Sequence, residues 1–208
     1  MNVVEINSSF HRHHRRQTYE RWAASVPADF RFAAKVPRSI THDSRLTDTE
    51  DDLARFLDEA QGLGDKLGPL LVQLPPSLAF DSDTARRFFA ALRNRFVGDV
   101  VCEPRSPTWF TRAPAALLRR FRIGRVGADP APIPSAATPT APGGIAYYRL
   151  HGSPRVYYSE YASLRLREIA ARLRKSEARD HQVWCIFDNT AAGAALSNAL
   201  ELQSLIDA

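Results

Sequence analysis

Short apolar segments with strand character alternate with amphipathic helical segments along nearly the whole chain, and this alternation restricts the fold more than any other feature. Strands that are separated by helices return to the same end of a sheet, so they pair in parallel and are joined by crossover helices. The pattern therefore predicts an α/β protein with a parallel sheet. The predicted strands are Val3–Asn7, Phe30–Val36, Leu67–Leu74, Asp99–Arg105, Arg125–Asp129, Ile145–Gly152 and Gln182–Asn189.

Amphipathic helices are predicted between these strands and after the last one. The clearest is Thr47–Leu63, in which Leu53 and Phe56 belong to one apolar face. It begins with Thr47 and Glu50 in the spacing of a capping box. The full set of predicted helices is Thr18–Val26, Thr47–Leu63, Ser82–Phe96, Ala113–Phe121, Ala162–Lys175 and Ala191–Ile206.

Seven parallel strands in a chain of 208 residues are typical of a TIM-barrel-like (β/α) barrel. An open, doubly wound sheet is the alternative. No GxGxxG or P-loop motif follows a predicted strand, which argues against the nucleotide-binding form of the open sheet. The chain has no short repeat and no internal linker, so a single barrel domain over residues 1–208 is predicted.

Polar side chains stand at or next to the carboxyl ends of the predicted strands. In a barrel these ends converge on one mouth, and active sites are built there. We therefore expect the polar side chains to share a site. The residues concerned are Glu5, Asn7, Lys35, Gln73, Glu103, Arg105, Asp129, Arg149, His151 and Asn189.

Two opposite charges end the strand Asp99–Arg105. Glu103 and Arg105 are two residues apart, so their side chains point to the same side of a pleated strand. Opposite charges at the end of an apolar strand are costly to place unless they pair or meet a ligand. A catalytic carboxylate and an internal ion pair that stiffens the barrel mouth both explain this pattern.

The charge balance leaves the class of partner open. The net charge is +5 with a sequence pI of about 9.5, and nearly all the basic residues are arginine. Arginine suits phosphate recognition through its planar fork, which favours a nucleic acid or another polyanion as a partner. A GC-rich genome explains the same composition without any functional meaning.

Cysteine usage and hydropathy indicate the compartment. Cys102 and Cys185 lie in apolar, strand-like segments, which predicts buried free thiols in a reducing environment. No apolar run approaches the roughly 20 residues of a membrane helix, and the start of the chain lacks the pattern of a signal peptide. A cytoplasmic protein that does not enter a membrane is expected.

Six segments of the chain resemble successive motifs of one family of bacterial and archaeal proteins, the domain of unknown function 72. The segments are EINSSFH (5–11), FAAKVPRSITH (32–42), LGDKLGPLLVQLPPS (63–77), CEPRSPTWF (102–110), YYRLHG (147–152) and FDNTAAGAALSNAL (187–200). The resemblance implies a TIM-barrel-like fold and brings no established activity. The motif positions that it implies here are Asn7, Lys35, Arg38, Gln73, Glu103, Arg105, Trp109, Arg149, His151, Gly152, Asn189 and Asn198.

The chain departs from the family pattern at three places. His11 stands where the family usually has tyrosine. Residues 188–190 read Asp-Asn-Thr where the family favours Asn-Asn-Asp, and this lost carboxylate puts a metal role of that strand in doubt. Family members also begin some tens of residues earlier, so the first barrel strand is expected to be absent. The two unpaired edges would then favour association between chains.

The first functional interpretation is an enzyme that acts on a phosphorylated or polyanionic substrate, as a hydrolase, a nuclease or an isomerase. Glu103 and His151 are the predicted acid and base. The basic side chains would hold phosphate through charge-assisted hydrogen bonds. The predicted ligand-binding residues are Asn7, Lys35, Arg38, Gln73, Arg105, Trp109, Arg149 and Asn189.

A divalent metal is the cofactor that this interpretation could use. Glu5 and Asp129 would join Glu103 and His151 around it, as in barrel nucleases and sugar isomerases. The chain has no HxH or HExxH spacing. Three histidines lie in the loop after the first predicted strand and are expected to be solvated: His11, His13 and His14.

The second functional interpretation is a nucleic-acid-binding protein without catalysis, and the third is a shortened, inactive family member. A basic loop and an aromatic loop would supply phosphate contacts and stacking for the second. Packing of the tyrosines on the barrel rim is the structural alternative. The residues are Arg12, Arg15, Arg16, Tyr157, Tyr158 and Tyr161. The proline-rich segment Pro130–Gly144 is predicted to be an irregular loop, either a lid or an exposed connection.

Overall fold

Residues 1–207 are described by the computed structural model, and they form parallel β-sheets whose strands are joined by helices. These residues divide into two compact units, residues 2–123 and residues 124–207. The parallel α/β class is the one that the alternation of strands and helices predicted. The assignment of all residues to a single domain stays a prediction.

The first unit contains a parallel sheet of four strands with helices between them. The strands are β1 (Val3–Ile6), β2 (Arg31–Lys35), β3 (Leu67–Leu74) and β4 (Val100–Pro104), and they pair in this order. The helices are α1 (Arg16–Ala24), α2 (Glu50–Ala60), α3 (Ser82–Arg95) and α4 (Arg112–Arg120).

One face of this sheet is covered by the helices. Ala34, Val72 and Cys102 lie on that face and belong to the hydrophobic core, together with Leu53 of α2 and Phe88 of α3. Successive strand residues alternate between the two faces, so Lys35, Gln73 and Glu103 point away from the helices. The helix-covered face fixes which side chains the opposite face presents.

A bulge between β2 and β3 sets the register of the sheet. Phe32 is opposite Leu67, but Ala34 is opposite Leu70, so β3 has one residue more than β2 over this stretch. The extra length falls at Gly68-Pro69, where the proline nitrogen has no hydrogen to donate to the ladder. Beyond the bulge, odd-numbered residues of β3 share the face of Lys35.

Helix α2 begins later than the capping-box pattern predicted. Its first residue is Glu50 and its N-cap is Thr49, whose side chain makes no capping hydrogen bond. Leu46 and Asp48 have positive φ angles, so the backbone around Thr47 is a turn and cannot belong to a helix. The predicted start at Thr47 was therefore wrong. The helix instead gains from carboxylates in its first turn, which lie near the positive end of the helix dipole.

The second unit contains short strands, a parallel sheet and two helices. The strands are β5 (Gly124–Arg125), β6 (Gly127–Asp129), β7 (Ile145–Leu150) and β8 (Gln182–Phe187), of which the last three pair in parallel in the order β6-β7-β8. The helices α5 (Ser163–Glu177) and α6 (Ala194–Asp207) pack on the sheet. The segment predicted as one strand, Arg125–Asp129, is thus interrupted at Val126.

The proline-rich loop is attached to the strand that precedes it. Arg125 and Thr140 exchange two backbone hydrogen bonds, and the Arg125 side chain donates to the carbonyl oxygen of Ser135 at 3.0 Å. Pro134–Ala137 forms one 3₁₀ turn. These contacts give the loop a fixed course at its centre. A role as a lid stays a prediction.

Both cysteines are free thiols, as predicted. The prediction that both are buried holds for Cys102, whereas Cys185 is half-buried. Burial of its sulfur raises the pKa of the Cys185 thiol to about 12. Since the thiolate is the reactive form, Cys185 is chemically inert near neutral pH. None of the helices within residues 1–207 is long and apolar enough to cross a membrane.

Candidate functional site

The carboxyl end of the first unit's sheet gathers polar side chains on one face. We call Asn7, Lys35, Gln73, Glu103 and Arg105 the strand-end cluster. Gln73 lies directly opposite Glu103 in the parallel register of β3 and β4. Lys35 lies opposite Leu71, two residues before Gln73, so it shares that face. The register of β2, β3 and β4 thus places Lys35, Gln73 and Glu103 on a common face.

Glu103 and Arg105 form an ion pair. Arg105 Nη2 lies 2.6 Å from Glu103 Oε1, and the carboxylate side chain is only 1% exposed. A buried carboxylate is stable only when charges and hydrogen bonds compensate the loss of water. The internal ion pair, which is one of the two explanations of this motif, is therefore present. A catalytic role for Glu103 stays a prediction.

The ammonium group of Lys35 lies in an environment with little access to water. The residue is 6% exposed, and its Nζ atom lies 4.1 Å from the centre of the Phe10 ring. Its backbone carbonyl accepts a 2.7 Å hydrogen bond from Ser9 Oγ, which fixes the 3₁₀ turn Ser8–Phe10 against β2. The turn after β1 thus places an aromatic face against the cation at the end of β2.

A π-helical segment, Ser39–Asp43, follows β2 and adds further charges to this edge. Arg38 is exposed and pairs with Asp43 at 3.1 Å. His42 lies edge-on to Phe10, with the ring centres 4.9 Å apart. Burial lowers the pKa of His42, and the charges of Lys35 and Arg38 lower it further. The charges of Lys35 and Arg38 thus both act on the His42 ring, and Asp43 opposes them.

Two more predicted residues differ in accessibility. Asn7 N-caps the turn Ser8–Phe10, and within residues 1–207 its buried Oδ1 atom accepts no hydrogen bond. Trp109 is buried in the hydrophobic core, where its Nε1 donates to the carbonyl oxygen of Leu78 at 3.0 Å. Asn7 has an acceptor to offer a ligand, whereas Trp109 has its polar atom in use and serves packing.

The second unit contains a separate group of buried charges, the Asp188 cluster, made of Arg149, His151 and Asp188. Asp188 Oδ2 lies 3.0 Å from Arg149 Nη2 and 3.0 Å from His151 Nδ1. Arg149 and His151 are almost completely buried. One carboxylate oxygen thus holds both side chains, which fixes the orientation of the imidazole ring. The assignment of His151 as an acid or base stays a prediction.

Asn189 belongs to a structural network. Its Nδ2 donates to Ser159 O and to Asn198 Oδ1, each at 3.0 Å. Asn198 in turn makes two hydrogen bonds with the backbone of Tyr161. The Tyr161 hydroxyl group accepts from the Gly152 amide and donates to Asp129 O. Burial and the Asp129 charge raise the pKa of this hydroxyl far above its usual value.

The predicted set of metal ligands does not form a metal centre. Asp129 pairs with Arg165, which also binds Glu168 at 2.6 Å. Among residues 1–207 there is no group of three or more His, Cys, Asp or Glu side chains placed to hold a metal ion. Glu5, on the exposed edge strand, shares a sheet face with Lys35 but belongs to no such group.

The early histidines are less solvated than predicted. His11 is exposed, but His13 Nδ1 lies 2.9 Å from the buried carboxylate of Glu59. His14 Nε2 lies 2.9 Å from Ser8 Oγ. His14 also packs edge-on against the rings of Tyr19 and Trp22. The prediction of a solvated loop was therefore wrong for His13 and His14, because helices α1 and α2 supply partners that the local sequence does not show.

We expect acid destabilisation of the first unit through His14. Burial lowers the pKa of its imidazole, and the Arg12 charge acts in the same direction. The unfolded chain then binds the proton more tightly, so this stability is complete above about pH 6.5 and is lost as the pH falls through the lowered pKa. His14→Gln should flatten the decrease in unfolding free energy between pH 7.5 and 5.5, measured by urea denaturation. His181→Gln, at a residue without these contacts, should retain the full decrease, and equal slopes in both variants would contradict the assignment.

The aromatic loop is only partly available for stacking. Tyr157 and Tyr158 are about half exposed, and the Arg155 guanidinium lies 3.8 Å from the centre of the Tyr158 ring. Tyr161 is buried, so its predicted role in stacking was wrong. In the basic loop, Arg16 pairs with Asp58 at 3.0 Å. Arg12 and Arg15 are exposed.

Sequence reasoning missed two residues that the structure places beside predicted ones. Asp188 was noted only as a departure from the family motif, although it directly follows strand β8 and pairs with Arg149 and His151. His42 was included in a motif and given no role, although it lies beside Phe10. The position of Asp188 at the end of a predicted strand was a signal that could have identified it. The sequence carried no comparable signal for His42, because an irregular segment positions its ring.

The parallel sheets, the helices between the strands and the polar strand ends define the chain as a TIM-barrel-like α/β protein. It belongs to the family described as "Protein of unknown function DUF72", whose family model matches residues 1–208. The family that the sequence motifs resemble is thereby confirmed. This family description names no activity.

Comparisons with individual proteins agree with the assignment. The UPF0759 protein YecE of Escherichia coli, in strains K12 and O157:H7, is 31% identical over 74 residues. This match covers 36% of the present chain and only 27% of the length of those relatives.

Solved structures of the family share the fold. A DUF72 family protein of Enterococcus faecalis superposes with a TM-score of 0.84 at 19% identity, over 100% of this chain and 85% of that one. A DUF72 family protein of Thermotoga maritima gives a TM-score of 0.83 at 21% identity, with the same coverage.

Proposed function

We propose that this protein binds a phosphorylated or otherwise polyanionic ligand through basic side chains at the carboxyl ends of its strands. The observation that carries the proposal is the placement of the Lys35 ammonium group, which is nearly buried at the end of β2 on the same sheet face as Gln73 and Glu103. A cation that has lost most of its water interacts more strongly with an anion than an exposed one does.

The electrostatics of this edge favour a ligand with more than one negative charge. Lys35 and Arg38 both lower the pKa of His42, so their fields overlap around the π-helical segment. Arg105 follows strand β4, which is separated from β2 by β3. A phosphate group offers several acceptor oxygens, and charge-assisted hydrogen bonds from lysine and arginine are the strong ones.

Polar groups of the strand-end cluster favour a ligand that also carries hydroxyl groups. The buried Asn7 Oδ1 accepts no hydrogen bond from residues 1–207. A ligand that donates a hydrogen bond to this oxygen would remove the free-energy cost of leaving it unsatisfied. The amide of Gln73, at the end of β3, can both donate and accept. A phosphate alone supplies few donors at neutral pH, so a sugar phosphate fits these groups better.

Lys35→Ala is expected to weaken the binding of ribose 5-phosphate by at least about tenfold, the loss of one charge-assisted hydrogen bond. Isothermal titration calorimetry at constant ionic strength measures the effect. Lys175→Ala is the matched control, because Lys175 lies exposed in helix α5 and should leave the affinity unchanged. Equal affinity of wild type and Lys35→Ala would contradict the anion site.

Catalysis by this site would use Glu103 as the acid or base. Hydrolysis, nucleic-acid cleavage and isomerisation of a phosphorylated substrate are the reaction classes that the proposal covers. Glu103→Gln keeps the shape and removes the charge, so it should abolish turnover while the circular dichroism spectrum stays unchanged. Unchanged turnover would remove Glu103 from the chemistry. Unfolding would mean that the pair with Arg105 is structural, since a buried charge would have lost its partner.

Nucleic-acid binding without catalysis is a second candidate, and one observation favours it. Arg155 stacks on the half-exposed ring of Tyr158, which is a combination that single-stranded nucleic acids use for stacking and phosphate contact. Oligonucleotide affinity that falls steeply with salt and is reduced in Tyr158→Ala would support it. Affinity that does not depend on salt would exclude it. Association of chains through unpaired strand edges stays a prediction, which the molecular mass in solution tests.

A further inference from the structure

His42 has a defined hydrogen-bonding arrangement that the proposed function does not yet use. Its Nδ1 atom lies 2.9 Å from Thr41 Oγ1. The same hydroxyl group is within 3.2 Å of the carbonyl oxygen of Pro37, to which it donates. A hydroxyl group has a single hydrogen, so its oxygen is left to accept from His42. This assigns the proton of the neutral imidazole to Nδ1.

The opposite ring nitrogen is then a lone-pair acceptor. Within residues 1–207, the hydrogen bond to Thr41 is the one that His42 makes through its ring. A hydrogen bond at one imidazole nitrogen determines the tautomer and so the chemistry of the other. Nε2 of His42 is therefore the basic nitrogen of the neutral ring, and it can accept a proton from a ligand.

The charges around His42 come from three directions. Lys35 on β2 and His42 both contact the Phe10 ring. The Lys35 Nζ atom lies 4.1 Å from the centre of this ring, and the centre of the His42 ring lies 4.9 Å from it. Arg38 and Asp43, from the π-helical segment, act with opposite sign. His11 packs on Phe10 as well, with ring centres 4.9 Å apart. Burial and the two cations lower the pKa of His42 in the free protein, and a bound dianion would oppose the effect of the cations.

We propose that His42 is a further ligand-binding residue of the Lys35 site and that its Nε2 takes the proton of a phosphate monoester. The inference rests on the proposed anion site and names its ligand class. The monoanionic ester, with one O–H, transfers that proton to Nε2, which yields a dianionic ester beside an imidazolium and Lys35. A monoester has its second pKa near 6, at about the range where histidine titrates. A phosphodiester or sulfate has no such proton and should bind less well.

The tautomer is tested in the free protein, without any ligand. The ¹⁵N chemical shifts of the His42 ring should show Nδ1 protonated and Nε2 unprotonated at pH 7.5. Thr41→Val keeps the shape of the side chain and removes the acceptor, and it should increase the Nε2-protonated form. Pro37 O retains its hydrogen bonds from the backbone amides of Ile40 and Thr41 in this variant. An Nε2-protonated ring in the wild type would overturn the inference, whether or not phosphate binds.

The ligand class is tested by titration with ribose 5-phosphate, dimethyl phosphate and sulfate. Bound ribose 5-phosphate should raise the pKa of His42 in the NMR titration, and its affinity should increase about tenfold from pH 8 to pH 6. His42→Gln should lose this pH dependence and His181→Gln should retain it. Binding of ribose 5-phosphate that Lys35→Ala weakens, with no change at His42, would overturn the inference and leave the proposed function intact. Absence of any binding would overturn both.

Discussion

Asp188→Ala is expected to lower the free energy of unfolding by about 3–5 kcal/mol, the range seen when one member of a buried ion pair is removed. Asp188 Oδ2 holds Arg149 and His151, and both of these side chains are almost without contact to water. The substitution removes the carboxylate and leaves the guanidinium group in the interior. A loss of this size in a chain of 208 residues corresponds to a decrease in Tm of about 6–20 °C.

Thermal and urea denaturation of Asp188→Ala measure this loss. Glu160→Ala is the control, because this carboxylate is exposed and a surface substitution normally changes stability by less than about 0.5 kcal/mol. The double variant Arg149→Met, Asp188→Leu should recover part of the lost stability, since apolar side chains of similar volume can replace a buried ion pair. A single variant as stable as the wild type would mean that the carboxylate does not support the two basic side chains.

Gly152→Ala is the second substitution from which a large loss is expected, about 2–5 kcal/mol in the free energy of unfolding. The φ angle of Gly152 is +90°, a conformation that costs an L-residue about 1–2 kcal/mol. A Cβ atom here would also lie 2.7 Å from the backbone oxygen of Ser159 and 3.1 Å from Asn189 Cβ. Overpacking of this kind costs about 1–3 kcal/mol in addition. Ser159 O cannot simply move, because it accepts the hydrogen bond from Asn189.

Gly144→Ala separates these two costs. Gly144 has a φ angle of +94°, but a Cβ atom there would meet nothing within 4 Å. The Gly144 variant should therefore lose only the conformational part, about 1–2 kcal/mol. Urea denaturation of both variants gives the difference, which measures the collision with Ser159. Equal losses would show that Gly152 is required for its backbone conformation alone.

The position of polar residues at the strand ends was readable from the sequence. Lys35, Gln73 and Glu103 each lie at or next to the end of a predicted strand, and the register of β2, β3 and β4 puts them on one sheet face. The Glu103–Arg105 pair was likewise readable, because the parity of a strand is a local property and the two residues are two apart at the end of β4. A shared site of these residues stays a prediction.

Other features depended on contacts between distant segments. The role of Asp188 requires Arg149 on the neighbouring strand β7 and His151 directly after that strand, and both are more than thirty residues away in sequence. Tyr161 was a candidate for stacking, with packing of its ring as the alternative, and it is buried where the Asn198 side chain on α6 binds its backbone. No periodicity within one segment encodes such partners.

The bulge at Gly68-Pro69 gives β3 one residue more than its ladder with β2 requires. Deletion of one residue there would leave a single residue opposite Ala33, so Lys35 would still lie opposite Leu71. Deletion of Val72 would have a different effect, because Gln73 would become the direct neighbour of Leu71 and would turn toward the helices. A loss of one codon beyond the bulge would thus dismantle the strand-end cluster without altering any of its residues. Relatives of this protein can therefore vary in the number of residues at 68 and 69 but not between Leu71 and Gln73.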